Sequence, residues 1–186
     1  MCHKLASGLM ALLMVSASMF AVSKAHAAQK LALFPFELVD VAQDPGAMGY
    51  GVGFGGLPKG PDSDEVRRLK LITDDLSRRI TSDGRYEIIA GAAFLKAVSE
   101  KGPIHKCNGC EDDIAKAAGA ELALIAIVEK LSDLLFNFNL YLRDVKDAKL
   151  KAIMSTTIQG STDEAWLRGI RYLAERKLLV KPGDAK

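Results

Sequence analysis

The chain is short of the residues on which most protein chemistry depends. Its 186 residues include three cysteines, three histidines and one tryptophan. Cys2, His3 and His26 all fall in residues 1–27, which have the pattern of an export signal that is removed. Lys4 supplies the positive start, Leu9 to Val22 the apolar run, and Ala25-His26-Ala27 a small-residue cleavage site. The remainder keeps one histidine, His105, which leaves little scope for a nucleophile–base pair. Loss of Lys4 and Lys24, with no acidic residue, takes the formal charge from +2 to zero. A neutral chain has no electrostatic footprint for nucleic acid. No later apolar run approaches the roughly 20 residues of a membrane span. These absences predict one periplasmic domain over residues 28–180, with a flexible tail at 181–186 and no stable membrane insertion.

The patterns that are present predict an α/β fold. Leu31 to Val39 is mostly apolar and contains Pro35, which points to an edge strand or a bulge. Asp62 and Glu65 make a capping box for a helix whose apolar face is Val66, Leu69, Ile72, Leu76 and Ile80. Tyr86 to Ala90 reads as a short strand, Ala93 to Glu100 as a second helix and Glu111 to Ala118 as a third. The continuous run Leu122 to Val128 reads as a strand buried on both faces. Next comes strict alternation, with Leu134, Phe136, Phe138, Leu140 and Leu142 inward and Asn137, Asn139, Tyr141 and Arg143 outward. Leu150 to Ile158 repeats it, and Ser161 with Glu164 opens a last helix carrying Trp166, Ile170, Leu173 and Leu178. The expected order is β-α-β-(α)-α-β-β-β-α, a mixed sheet of about five strands flanked by helices.

The stretch GYGVGFGGLPKG, residues 49–60, contains G-x-G-x-x-G at Gly51, Gly53 and Gly56. A dinucleotide fingerprint places its glycines in the tight turn between strand and helix. Here they lie in a connection of over twenty residues, and the second strand ends on Ala90 rather than on an acid. No nucleotide or other cofactor is expected. A loop of this length sometimes carries binding function, and its aromatics Tyr50 and Phe54 would suit a protein partner. Asn137 and Asn139 are the other candidate binding residues, on the exposed face of their strand.

Cys107-Asn108-Gly109-Cys110 has two readings. One is a disulfide that pins the loop before a helix; the other is a thiol–disulfide exchanger, since a helix start lowers a thiol pKa. The run Glu111, Asp112, Asp113 opposes thiolate formation, and a strand–helix redox context is missing. A zinc site from His105, Cys107 and Cys110 lacks a fourth ligand, and no metal is expected. The acids Asp112, Asp113, Asp163 and Glu164 all sit at helix starts, where the helix dipole accounts for them.

Taken together, LALFPFEL, GRYEII, CNGCEDDIAKAAGAELAL, VEKLSDLLFNFNLYLRDV and IQGSTDEAWLRGIRYL resemble an uncharacterised family of exported proteobacterial proteins. The element order is similar to that of the amino-terminal domain of TolB and of the curli secretion protein CsgG. The resemblance implies a periplasmic accessory protein that works by protein–protein contact and not as an enzyme. It further implies service to a quinoprotein dehydrogenase or to an envelope system; the alternative, from the C-x-x-C residues themselves, is thiol–disulfide exchange at Cys107 and Cys110.

Overall fold

The computed structural model describes residues 27–41 and 60–180. Residues 1–26 of the predicted export signal, Tyr50 and Phe54 of the glycine stretch, and the tail at 181–186 lie outside the described residues.

The elements are β1 (Gln29–Leu33), β2 (Glu37–Asp40), α1 (Ser63–Asp83), β3 (Tyr86–Ile89), α2 (Ala92–Lys101), a 3₁₀ turn (Ile104–Lys106), α3 (Cys110–Ala117), β4 (Leu122–Ser132), β5 (Leu135–Asp144), β6 (Lys149–Gln159) and α4 (Asp163–Leu173), continued by a π turn (Ala174–Leu178). The sheet runs β3-β1-β4-β5-β6, with β2 also on β4. β1 pairs in parallel with β3 and β4, β2 pairs in parallel with β4, and β4, β5 and β6 form an antiparallel meander. The mixed sheet with helices is thus as the sequence predicts.

The sixth strand comes from Pro35. The predicted strand 31–39 divides there, because proline cannot donate to a ladder. Leu33 pairs with Leu124 and Glu37 with Ile127, so residues 34–36 span a stretch that takes only 125–126 on β4. This bulge changes the phase of the strand. Leu31 and Leu33 face the same core as Phe36, while Phe34 points to the opposite face.

One face of the sheet is sealed by α1 and α4. Leu69, Ile72, Leu76 and Ile80 of α1 and Trp166, Ile170 and Leu173 of α4 pack on Phe136, Phe138, Leu140, Met154 and Ile158. Trp166 meets Phe136 and Phe138 edge-on, with ring centroids 5.1 and 5.4 Å away. Gly169 lets α4 approach the strands, since a Cβ there would lie 2.5 Å from Ile158 Cγ2. Arg67 and Arg68 bind Asp163 and so tie the two helices together.

The Asp62–Glu65 capping box is present, with bonds of 2.8 and 2.9 Å. Glu65 also receives Lys130 Nζ at 2.9 Å. For α4 the cap is one residue later than expected: the Thr162 hydroxyl, not Ser161, accepts the Ala165 N–H. Val66, Leu134 and Leu150 are 53, 60 and 47 % exposed and do not join the core. Val66 lies in the first turn of α1, Leu134 in the β4–β5 turn, and Leu150 beyond a register shift in β6. Each lies where its element has not yet met, or has already left, the packed sheet.

Candidate functional site

The second face is only partly covered. Phe94 of α2, Ile104 of the 3₁₀ turn, and Ile114 and Ala115 of α3 pack over Ala32, Phe34, Ala123 and Ile125. Phe34 and Phe94 meet edge-on at 5.1 Å. Cys107, Cys110, Ile127 and Tyr141 line the margin of this cluster. Beyond them the β5 and β6 half of the face carries Asn137, Asn139, Ile153, Ser155 and Thr157.

The connection from α2 to α3 is built around Glu37. Its carboxylate accepts the backbone N–H of Ile104 at 2.6 Å and of His105 at 3.0 Å, and holds His105 Nδ1 at 2.7 Å. A strand residue thereby caps the 3₁₀ turn. The chain then bends through Gly109, whose φ of 94° is left-handed and suits glycine. Cys107 and Cys110 form a disulfide with Cα atoms 5.6 Å apart. Cys110 is the first residue of α3 and Cys107 lies just before it, so the bonded sulfurs both sit at the helix N-terminus. Glu111 Oε2 sits 3.5 Å from Cys107 Sγ, where its charge opposes thiolate formation.

Cys107, Cys110 and Glu111 have the spacing of a metal-binding group. With the sulfurs bonded to each other, no thiolate exists to act as ligand. His105 is outside that group, its Nδ1 being held by Glu37. Asp112, expected to serve only the helix dipole, is buried and takes a two-pronged bond from Arg143 at 2.9 and 2.5 Å. Arg143 also reaches the Ala148 carbonyl, and its guanidinium pKa is raised mainly by the bond to Asp112. This pair fastens α3 to β5.

The candidate asparagines lie side by side on β5. Asn139 is buried, not exposed as expected: Tyr141 and Asn137 flank it, and its cross-strand neighbours are Ile127 and Ser155. Its Oδ1 accepts from the Ser155 hydroxyl at 2.6 Å, and Asn137 Oδ1 accepts from Thr157 at 2.7 Å. Ile153 is 59 % exposed beside them. The Tyr141 hydroxyl pKa is raised, first by burial and then by the Glu129 charge. Sequence alternation found this row, whereas the ties of Glu37 to the 3₁₀ turn and of Arg143 to Asp112 have no local signal. They join residues 67 and 31 positions apart.

A family model described as "Protein of unknown function (DUF2380)" and named DUF3280 matches residues 29–178. No curated protein matches the chain. Among solved structures, the chain is similar to the LpoB C-terminal domain from Salmonella enterica, with 12% identity and a TM-score of 0.45 over 74% of this chain and 87% of that one. It is also similar to PelC from Paraburkholderia phytofirmans, solved as a dodecamer, with 14% identity and a TM-score of 0.47 over 80% and 86%. TolB from Acinetobacter baumannii aligns with 17% identity and a TM-score of 0.40, over 80% of this chain and 28% of TolB. Among the described residues no helix is long and apolar enough to cross a membrane.

Proposed function

The chain belongs to the DUF3280 family, and from that premise we propose that it is a periplasmic, non-enzymatic accessory protein that acts by binding another protein. The observation that carries this reading is the open half of the second face. Its exposed side chains are Ile153, Ser155 and Thr157, beside Asn137 and Tyr141. The row itself holds no charged side chain and includes an aromatic ring, two features of an interface core. Asn137 and Asn139 are positioning residues in this reading. Their bonds to Thr157 and Ser155 hold the β6 hydroxyls in fixed directions. The partner proposed is a component of an envelope system or of a quinoprotein dehydrogenase.

The test is cross-linking in the periplasm followed by co-purification. Wild type is expected to capture a defined protein that Asn137→Arg loses while still folding with an unchanged far-UV spectrum. Equal capture by both proteins overturns the use of this face.

The second reading is thiol–disulfide exchange, favoured by the disulfide at the start of α3. Equilibration of the pair in thiol buffers distinguishes the two. A potential below about −300 mV belongs to a structural bond, and one between about −120 and −200 mV to an exchange catalyst. The carboxylate of Glu111 beside Cys107 favours the structural outcome.

A further inference from the structure

β6 closes the sheet order and is hydrogen-bonded to β5 along one side only. Its other side presents a row of backbone N–H and C=O groups that pair with no strand among the described residues. Folded proteins blunt such an edge with charge, proline or a bulge, because it templates pairing with another chain. In β6 those devices are confined to one end. Lys149 and Lys151 are there, together with the register shift opposite Leu142 and Arg143. From Ala152 to Gln159 the strand has no charge and no proline. Ile153, Ser155, Thr157 and Gln159 on it are exposed.

We propose that this edge pairs antiparallel with β6 of a second copy of the chain, about a two-fold axis through Ser155. That register joins residues 151–159 of both copies, a ladder of about 30 Å. Ile153 lies opposite Thr157 of the second copy, so these two β-branched side chains meet across the strands on the open face. Met154 lies opposite Thr156 and Ala152 opposite Ile158. Each Lys151 faces the neutral Gln159 amide, and no like charges meet. Moving the axis to Met154 or Ile153 would bring Leu150 and Lys149, beyond the register shift, into the ladder. Moving it to Thr156 would set Ile153 against the Gln159 amide, and moving it to Thr157 would leave Ile153 unpaired. The Ser155 register pairs Ile153 with a β-branched partner and keeps Lys149 out of the ladder, and this self-complementarity is why the occupant is a second copy.

The axis is perpendicular to the sheet, so α1 and α4 lie on one side in both copies and the two open half-faces adjoin on the other. The association is independent of whether those faces bind a further protein. An interface dominated by one strand pair belongs to the small, weak class, so the dimer is expected to be concentration-dependent.

Sedimentation velocity across a concentration series tests this, with thermal melts to show that each variant still folds. Wild type is expected to pass from monomer to dimer. Ile153→Lys is expected to weaken the dimer about tenfold or more by placing charge in the paired strip. Gln159→Glu is expected to tighten it, because Lys151 of the other copy then gains a partner twice per dimer. Gln159→Lys is expected to weaken it. Lys151 and Gln159 lie at opposite ends of the strand, so neither change at 159 acts within one copy. A chain that stays monomeric at several hundred micromolar overturns the proposal. So does a dimer that ignores Ile153→Lys, or one that responds equally to Glu and Lys at 159. A monomer whose β6 takes up only a foreign strand overturns it as well.

Discussion

The two faces of the sheet are closed to different extents. The first is closed by two amphipathic helices over a continuous layer of aromatic and branched side chains, with Trp166 at its centre. The second is closed over only part of its area, by short elements that pack on a smaller apolar cluster and are fastened by specific bonds, Glu37 to the 3₁₀ turn and Arg143 to Asp112. Apolar packing spreads its stabilisation over many contacts. Polar fasteners concentrate it in a few and leave the surrounding surface free for other uses. The face with the smaller apolar cluster is therefore the one with side chains to spare for binding.

The largest effect should come from Trp166→Ala, which empties the junction of α4 with Phe136 and Phe138. A loss of about 3–5 kcal/mol in urea unfolding is expected. A smaller value would mean that the two faces share the burden more evenly. Gly169→Ala is the opposite perturbation on the same face, since its methyl group would lie 2.5 Å from Ile158. An overpacking cost of about 1–3 kcal/mol is expected, read from the same titration.

Acid should act through the carboxylates whose pKa is depressed, two of which lie on the helix side. Asp62 has a lowered pKa, chiefly because the Glu65 N–H binds its carboxylate. Asp163 is lowered chiefly by the bond from Arg67. A carboxylate with a depressed folded value adds stability above its unfolded value, and that stability disappears as pH falls through the folded one. Melting temperature should therefore fall on acidification below about pH 4, and Asp163→Asn should flatten that slope. The smallest effect is expected on the open face, where Thr157→Ala should change stability by no more than about 0.5 kcal/mol. A large loss there would show that the polar row supports the fold.

What was legible in the sequence follows the same division. Helical spacing in Leu69, Ile72, Leu76 and Ile80 and alternation in Phe136, Phe138 and Leu140 located the first face, because burial imposes a period on the chain. Similar reasoning put Val66, Leu134 and Leu150 inside, and it failed there because periodicity does not report where an element outruns its neighbours. The fasteners of the second face were not legible. Glu37, Asp112 and Arg143 look like ordinary surface charges until the fold brings them together. Asn139 reads as exposed by alternation, yet its neighbours across the strands bury it.

The extra residue at Phe34-Pro35-Phe36 has a consequence for changes of length. It acts as a reading-frame correction between β1 and β2, which both pair with β4. Upstream, odd-numbered residues face α1 and α4; downstream, even-numbered residues do. A deletion of one of the three would set the two segments out of step, turning Leu31 and Leu33 away from their core or Phe36 and Leu38 from theirs. Replacing Pro35 alone keeps the count and should leave both segments in place. At this point of the chain, length is under tighter constraint than chemical identity.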